Sequence, residues 1–268
     1  MASHPFDEAI RLDGTDPAWS RGHTSPAWAN MVGPFGGMTA AILMRAVENH
    51  PERLGDPVAL TVNYAAPVGD GAFDIAVKCV RRNRSNQHWL VDLWQDDEVK
   101  TNATAVFGHR RDTWSDTERP PLSVPEPDRI EPSGLPEVIV WARNYEMRYV
   151  EGAIPARGAE PGPSSTTTLW ARDRLGRPPD FASLTALSDI FYPRVFLRRG
   201  APCPAGTISL TTYFHADAAE LSAVGDDFLL CRAHANRFAR GYFDQSAEIW
   251  SRAGELLVTS HQLVYFKT

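Results

Sequence analysis

"PFGGMTAAILMRAVENHP", residues 34 to 51, decides how the rest of the chain is read. Apolar residues dominate from Met38 to Val47 in a helical pattern, and Pro51 closes it, because a proline cannot continue a helix. Four strand-like runs follow: "VALTVNYAAP" (58–67), "FDIAVKCVRR" (73–82), "QHWLVDLWQ" (87–95) and "VKTNATAVFGH" (99–109). The plan then returns. In "LTALSDIFYP" (184–193), Leu184, Leu187 and Phe191 recur at helical spacing one turn after Phe181, Ala186 and Ile190 cover the opposite arc, and Pro193 stops the segment. Behind it come "GTISLTTYFHA" (206–216), "DFLLCRAHANR" (227–237), "RGYFDQSAEIW" (240–250) and "ELLVTSHQLVYFK" (255–267). Each unit is thus one helix followed by an antiparallel meander, an α+β plan written twice. Residue matches support the repeat: Tyr64 answers Tyr213, Trp94 answers Trp250, and "TNATAVF" lies over "TSHQLVY". The polar turns "QDDE" and "SRAGE" join the last two strands of each unit.

Residues 119 to 136, "RPPLSVPEPDRIEPSGLP", hold too many prolines for a helix or a central strand. They set the expected boundaries: a first unit over 1–112, a proline-rich linker over 113–136 and a second unit over 137–268. "VIVWARNYEMRYVEG" (138–152) and "STTTLWARD" (165–173) read as strands added to the second sheet, with a matching lead-in to the first unit around residues 17–31. "GAEPGPS" (158–164) reads as an exposed loop.

Composition narrows the function classes. A chain of 268 residues with 43% hydrophobic content can bury a large core as one big domain or two ordinary ones. No run approaches the roughly 20 apolar residues of a membrane-spanning helix, so the cytoplasm is the expected compartment and no membrane is an expected partner. Cys79, Cys203 and Cys231 are widely separated, without the C-x-x-C spacing of zinc or redox sites, and read as free thiols. A net charge of −6 supplies no basic field for nucleic acid. The clusters Arg81/Arg82/Arg84, Arg110/Arg111 and Arg198/Arg199 read as solvated turns, although a small polyphosphate would need only one of them. Proline, arginine and alanine usage points to a GC-rich bacterial genome. No G-x-S-x-G or H-E-x-x-H string occurs.

The chemistry centres on one acid. Asp189 sits in an apolar segment, where a carboxylate is costly unless something pairs with it or uses it; a surface position beside Thr185 or a hydrogen-bonded buried acid are the structural readings. Gln262 shares a strand face with Val258, Val264 and Phe266, and is either a satisfied core amide or a functional one. Thr207 alternates with Ser209, Thr211 and Tyr213, the pattern of an ordinary polar strand face, unless a bulge near Gly206 or a site on that face gives it a role. Gly36 and Gly37 stand at the first helix's start, where free amides favour an anion; either they bind the substrate oxygen or they allow a tight turn or close packing. The first helix has no carboxylate before Glu48, so one working centre per chain is expected.

Four stretches, "PFGGMTAAILMRA", "ALSDIFYP", "TISLTTYFH" and "VTSHQLVYF", resemble in order and spacing the acyl-CoA thioesterase II family and its wider thioesterase-like relatives. The resemblance implies a double hot-dog fold and hydrolysis of an acyl-CoA thioester to free acid and CoA, with no metal and no organic cofactor. It assigns the catalytic roles to Asp189, Thr207 and Gln262; the free amides at the helix start add Gly36 and Gly37 as the expected oxyanion or substrate-binding pair. It also implies a homodimer or homotetramer. Relatives often carry an acid where this chain has Ser209. A non-catalytic acyl-thioester-binding protein is the alternative, followed by a hydratase or dehydratase. The dehydratase would need a histidine motif in the first unit, and the context of His23 supplies neither its glycine nor its proline.

Overall fold

A computed structural model of the chain describes residues 3–119, 122–133, 135–156 and 158–267. Its first half contains α1 (Pro5–Ala9), β1 (Asp13–Asp16), β2 (Trp19–His23), α2 (Gly36–Glu48), β3 (Asp56–Tyr64), β4 (Ala72–Arg82), β5 (Asn86–Gln95) and β6 (Glu98–Gly108). The second half contains β7 (Tyr145–Glu151), β8 (Thr167–Asp173), α3 (Phe181–Leu187), α4 (Val195–Arg199), β9 (Ala205–Phe214), α5 (Ala218–Val224), β10 (Leu229–His234), β11 (Phe238–Ala239), β12 (Tyr242–Ser251) and β13 (Leu256–Phe266). The meander strands alternate buried and open residues, as one-sided burial requires. The β5–β6 hairpin turns on Asp96 and Asp97, both left-handed with φ of 55° and 59°, the geometry of a two-residue turn between twisted strands.

Antiparallel pairing of β3 with β9 fuses the two meanders into one sheet, ordered β1-β2-β4-β5-β6-β3-β9-β13-β12-β10-β8-β7. Thr61 and Thr211 face each other at that seam, their hydroxyls 3.1 Å apart, and mark a pseudo-twofold axis. About it Leu60 corresponds to Leu210. Leu60 pairs with Ala105 and Ala105 with Trp89; Leu210 pairs with Gln262 and Gln262 with Gln245. Ala105 therefore holds the place of Gln262, and Trp89 that of Gln245. The Trp94–Trp250 match survives, five residues further along the same two strands. The "TNATAVF" alignment is off by one residue, because it sets Thr104 against Gln262. Tyr64 likewise corresponds to Phe214, not to Tyr213, which faces outward and is exposed. A one-residue slip inverts every side chain of a strand, and strings of similar letters do not reveal it.

Helix α2 is buried on nearly every side. It packs against α3 so closely that a Cβ on Gly37 would lie 2.5 Å from the Ala186 carbonyl oxygen. Helix α3 is shorter than the apolar run suggests. It ends at Leu187, leaving Asp189 in the following turn. Thr185 and Ser188 donate their hydroxyls back to the carbonyls of Phe181 and Leu184 at 2.8 and 2.9 Å. The amides of Asp189 and Ile190 then bond three residues back, to Ala186 and Leu187, tightening the last turn.

The proline-rich segment is no free tether. Leu122, Val124 and Ile130 pack on Trp170, Phe228, Leu230 and Trp250, and the Trp170 indole donates to the Pro125 carbonyl at 2.9 Å. This covers part of the outer face of the second sheet. Arg110, from one of the arginine clusters, staples the halves by donating to the carbonyls of Pro57, Phe214 and Ala216.

Candidate active site

Asp189, Gln262, Thr207 and the start of α2 converge on the inner face of the fused sheet. Gln262 is 6% exposed, and its Nε2 donates to Asp189 Oδ1 at 2.8 Å and lies 3.4 Å from the Ser188 carbonyl. The Thr207 hydroxyl donates to Gln262 Oε1 at 3.3 Å. Simple alternation would send Thr207 outward with Ser209 and Thr211. Instead the ladder shifts: Leu263 pairs with Ser209, but Val264 pairs with Thr207, so Ile208 is the extra residue of a bulge. That bulge turns Thr207 to the side of the buried Val264. Ser209, next to the inward Leu210, faces the other way, clear of the site.

The first half contributes the opposite wall. A Cβ on Gly36 would lie 2.8 Å from Asp189 Oδ2, so a bare glycine is what lets this carboxylate reach the helix. The Gly37 amide faces the same carboxylate and favours its ionised form. Gly36 and Gly37 are thus both glycines of close approach, and neither has positive φ. Tyr64 donates its hydroxyl to the Gly36 carbonyl at 2.8 Å and holds the helix start in place.

Asp189 is half-buried and surrounded by protein. Burial pushes its carboxyl from 3.8 up to about 7; the Gln262 hydrogen bond and the Gly37 amide pull the other way and keep ionisation within reach near neutrality. Such a group is what a general base requires.

Arg194 belongs to no pattern that the sequence makes plain. Fully buried, it bonds the Tyr192 carbonyl through Nε at 3.0 Å and Thr167 Oγ1 through Nη1 at 2.5 Å, and its guanidinium lies 4.5 Å from the Tyr192 ring centroid. Burial lowers its pKa to about 10, which leaves it charged at neutral pH. It ties the turn after Asp189 to β8. The available signal was a lone cation inside the apolar run "FYPRVFL". His23 spends Nδ1 on the Thr24 carbonyl at 2.8 Å, and His215 pairs with Thr259 Oγ1 at 3.0 Å; neither joins Asp189. Among the described residues no three His, Cys, Asp or Glu side chains group as a metal set would.

A cleft of about 770 Å³ lies elsewhere, lined by Arg119, Arg198, Arg232, His234, Ser246 and Glu248 among others. None of the Asp189 constellation lines it. Two of its arginines are already engaged, Arg119 with Glu248 and Arg198 with the Pro163 carbonyl.

Comparison with known proteins gives the family. The family described as acyl-CoA thioesterase N-terminal domain matches residues 24–108, and the C-terminal domain of the same family matches residues 116–266. The chain belongs to the acyl-CoA thioesterase family. As a member it is a thioester hydrolase of α+β double hot-dog architecture. A hot-dog protein of unknown function from Alicyclobacillus acidocaldarius is 44% identical, with a TM-score of 0.94 over 100% of this chain and 99% of that one. A tesB protein from Mycobacterium avium subs paratuberculosis is 21% identical, with a TM-score of 0.80 over 98% of each chain. An acyl-CoA thioesterase II from Mycobacterium marinum is 16% identical, with a TM-score of 0.79 over 98% of each. At those identities the two mycobacterial proteins bear on the fold alone. No curated protein matches. Within this acyl-CoA thioesterase the register leaves Ala105 where the second unit has Gln262, so among the described residues the constellation is present once.

Proposed function

We propose that the chain hydrolyses acyl-CoA to a carboxylic acid and CoA at Asp189, with Thr207 and Gln262 steadying the attacking water. The observation that carries this reading is the half-buried carboxyl of Asp189, raised to about 7 and bonded to Gln262. At neutral pH about half of such groups are ionised. The Thr207 hydroxyl donates to Gln262 and keeps its lone pairs free, so a water can donate to both Thr207 and Asp189. As the water oxygen bonds to the thioester carbon, its proton passes to Asp189; the Gly37 N–H is already turned to that carboxylate, so of the glycine pair it is Gly36 whose amide is left for the charge gained by the carbonyl oxygen. The carbon–sulfur bond then breaks, and Asp189 returns the proton to the departing thiolate. A hydroxyl and a carboxamide arranged beside the acid fit a water route better than direct attack by the carboxylate.

The wider picture follows from the same reading. Residues 1–112 and 137–268 act as two hot-dog units joined by 113–136. The outward side chains Tyr213, Tyr242, Leu263 and Tyr265 offer an apolar face for a homodimer or homotetramer. A cytoplasmic place of work suits an acyl-CoA substrate and the free thiols Cys79, Cys203 and Cys231. The test is free-thiol release from acyl-CoA esters of graded chain length, with Asp189→Asn alongside. Release that depends on Asp189 is expected. Undiminished release by the variant removes Asp189 from the chemistry, and none by the unmodified protein leaves a binding protein.

A further inference from the structure

Directly across the ladder from Gln262 stands Gln245, on β12. Opposed residues in an antiparallel pair have Cα atoms about 5 Å apart and side chains on the same face. Gln245 therefore enters the same interior as Gln262, one strand further from α2. It is 2% exposed, and among the described residues its Nε2 has no hydrogen-bond partner.

A buried N–H donor without a partner is costly, and native proteins seldom keep one without use for it. Packing does not demand an amide: Trp89 fills the corresponding place in the first unit with an indole, whose own N–H is likewise without a partner among the described residues. In the second unit a polar row instead crosses the inner face, from Thr207 through Gln262 to Gln245.

We infer that Gln245 is a substrate-binding residue, whose amide N–H donates to an uncharged oxygen of the thioester a few bonds from the reacting carbon. This rests on the Asp189 reading for the location of that carbon. Two parts of a substrate carry such an oxygen: a 3-hydroxy or 3-oxo acyl group, and the amide carbonyl of the pantetheine arm. Either would complete the unpaired donor. A plain hydrocarbon chain lying against Gln245 would leave it unpaired, a mismatch that sites built for hydrogen bonding reject strongly.

The experiment compares the unmodified protein with Gln245→Met, which keeps the length and removes the amide. kcat/KM is measured for an unsubstituted acyl-CoA, its 3-hydroxy counterpart, and the same two acyl groups as thioesters of 2-mercaptoethanesulfonate, a thiol with no amide. Affinity for a ketone analogue of each CoA ester, with a methylene between sulfur and carbonyl, is measured by calorimetry. A fall of about ten- to a hundredfold is expected for the substrates that supply the oxygen. Confined to 3-hydroxy substrates it identifies the acyl oxygen; shared by both CoA esters and absent from the short thioesters, it identifies the pantetheine amide. The variant is also expected to melt higher, since an unpaired buried amide has gone. Unchanged kinetics and affinity on every substrate overturn the inference, as does a lower Tm with affinity unchanged. If the unmodified protein hydrolyses nothing, the Asp189 reading fails separately, and the analogue affinities still decide the role of Gln245.

Discussion

Replacing Asp189 by Asn should remove activity and relieve the fold at the same time. In the folded chain the carboxyl is held at about 7, against an ordinary 3.8. Below pH 4 it is protonated in both folded and unfolded chains and costs nothing. Between about pH 4 and pH 7 the unfolded chain ionises while the folded one still holds its proton, so stability falls as pH rises; above pH 7 the loss is complete. Three pH units correspond to about 4 kcal/mol, and the partial exposure of Asp189 reduces that to about 2 to 3. Asn keeps an acceptor for Gln262 but presents an amide to Gly37, which takes back about 1 kcal/mol. The variant should therefore gain on the unmodified protein between pH 5 and pH 8.5, by roughly 4 °C in Tm. Thermal melts of both proteins at those two pH values measure it. A gap between them that is the same at both pH values would falsify the assignment of a raised carboxyl to Asp189.

Other perturbations separate the remaining parts of the site. Gln262→Met removes a hydrogen bond that favours the carboxylate, so the acid limb of the pH–rate profile should move above 7, with a lower kcat; an unmoved limb contradicts the bond's role. Thr207→Val should cost about ten- to a hundredfold in kcat with KM little changed, read by steady-state kinetics. Gly37→Ala drives a Cβ against the Ala186 carbonyl and the Phe35 ring and should cost about 1 to 3 kcal/mol in denaturant titrations. Gly36→Ala clashes only with the movable end of Asp189 and makes ordinary contact with the Tyr64 ring, so its loss should appear in kcat and not in stability. Arg194→Met strands the carbonyls of Tyr192 and Ser165 and should lower stability by about 3 kcal/mol or more in the same titrations.

The repeat, its meander strands and the acid at issue were legible because helical and strand periods leave plain marks in a sequence. Four short elements left weaker ones: α1, β1, α4 and α5 have four to seven residues each, too few for a period to declare itself. Thr207 shows what local pattern cannot give. Its place on the inner face comes from one extra residue, Ile208, whose presence is defined only against the partner strand β13. The apolar run around Asp189 read as helix throughout, yet back-bonding hydroxyls from Thr185 and Ser188 and the tight approach of Gly37 end the helix early and aim the carboxylate across the seam. Arg194 is not legible in the sequence, because a cation in an apolar run says nothing about which carbonyls will receive it.

The pH dependence of kcat/KM for one good acyl-CoA substrate tests the central claim most directly. An ionised Asp189 acting as base predicts a rate that climbs with pH through a single acid limb centred at about 7 and then levels. A limb near 4, where an open carboxylate titrates, or a rate independent of pH from 5 to 8, contradicts it.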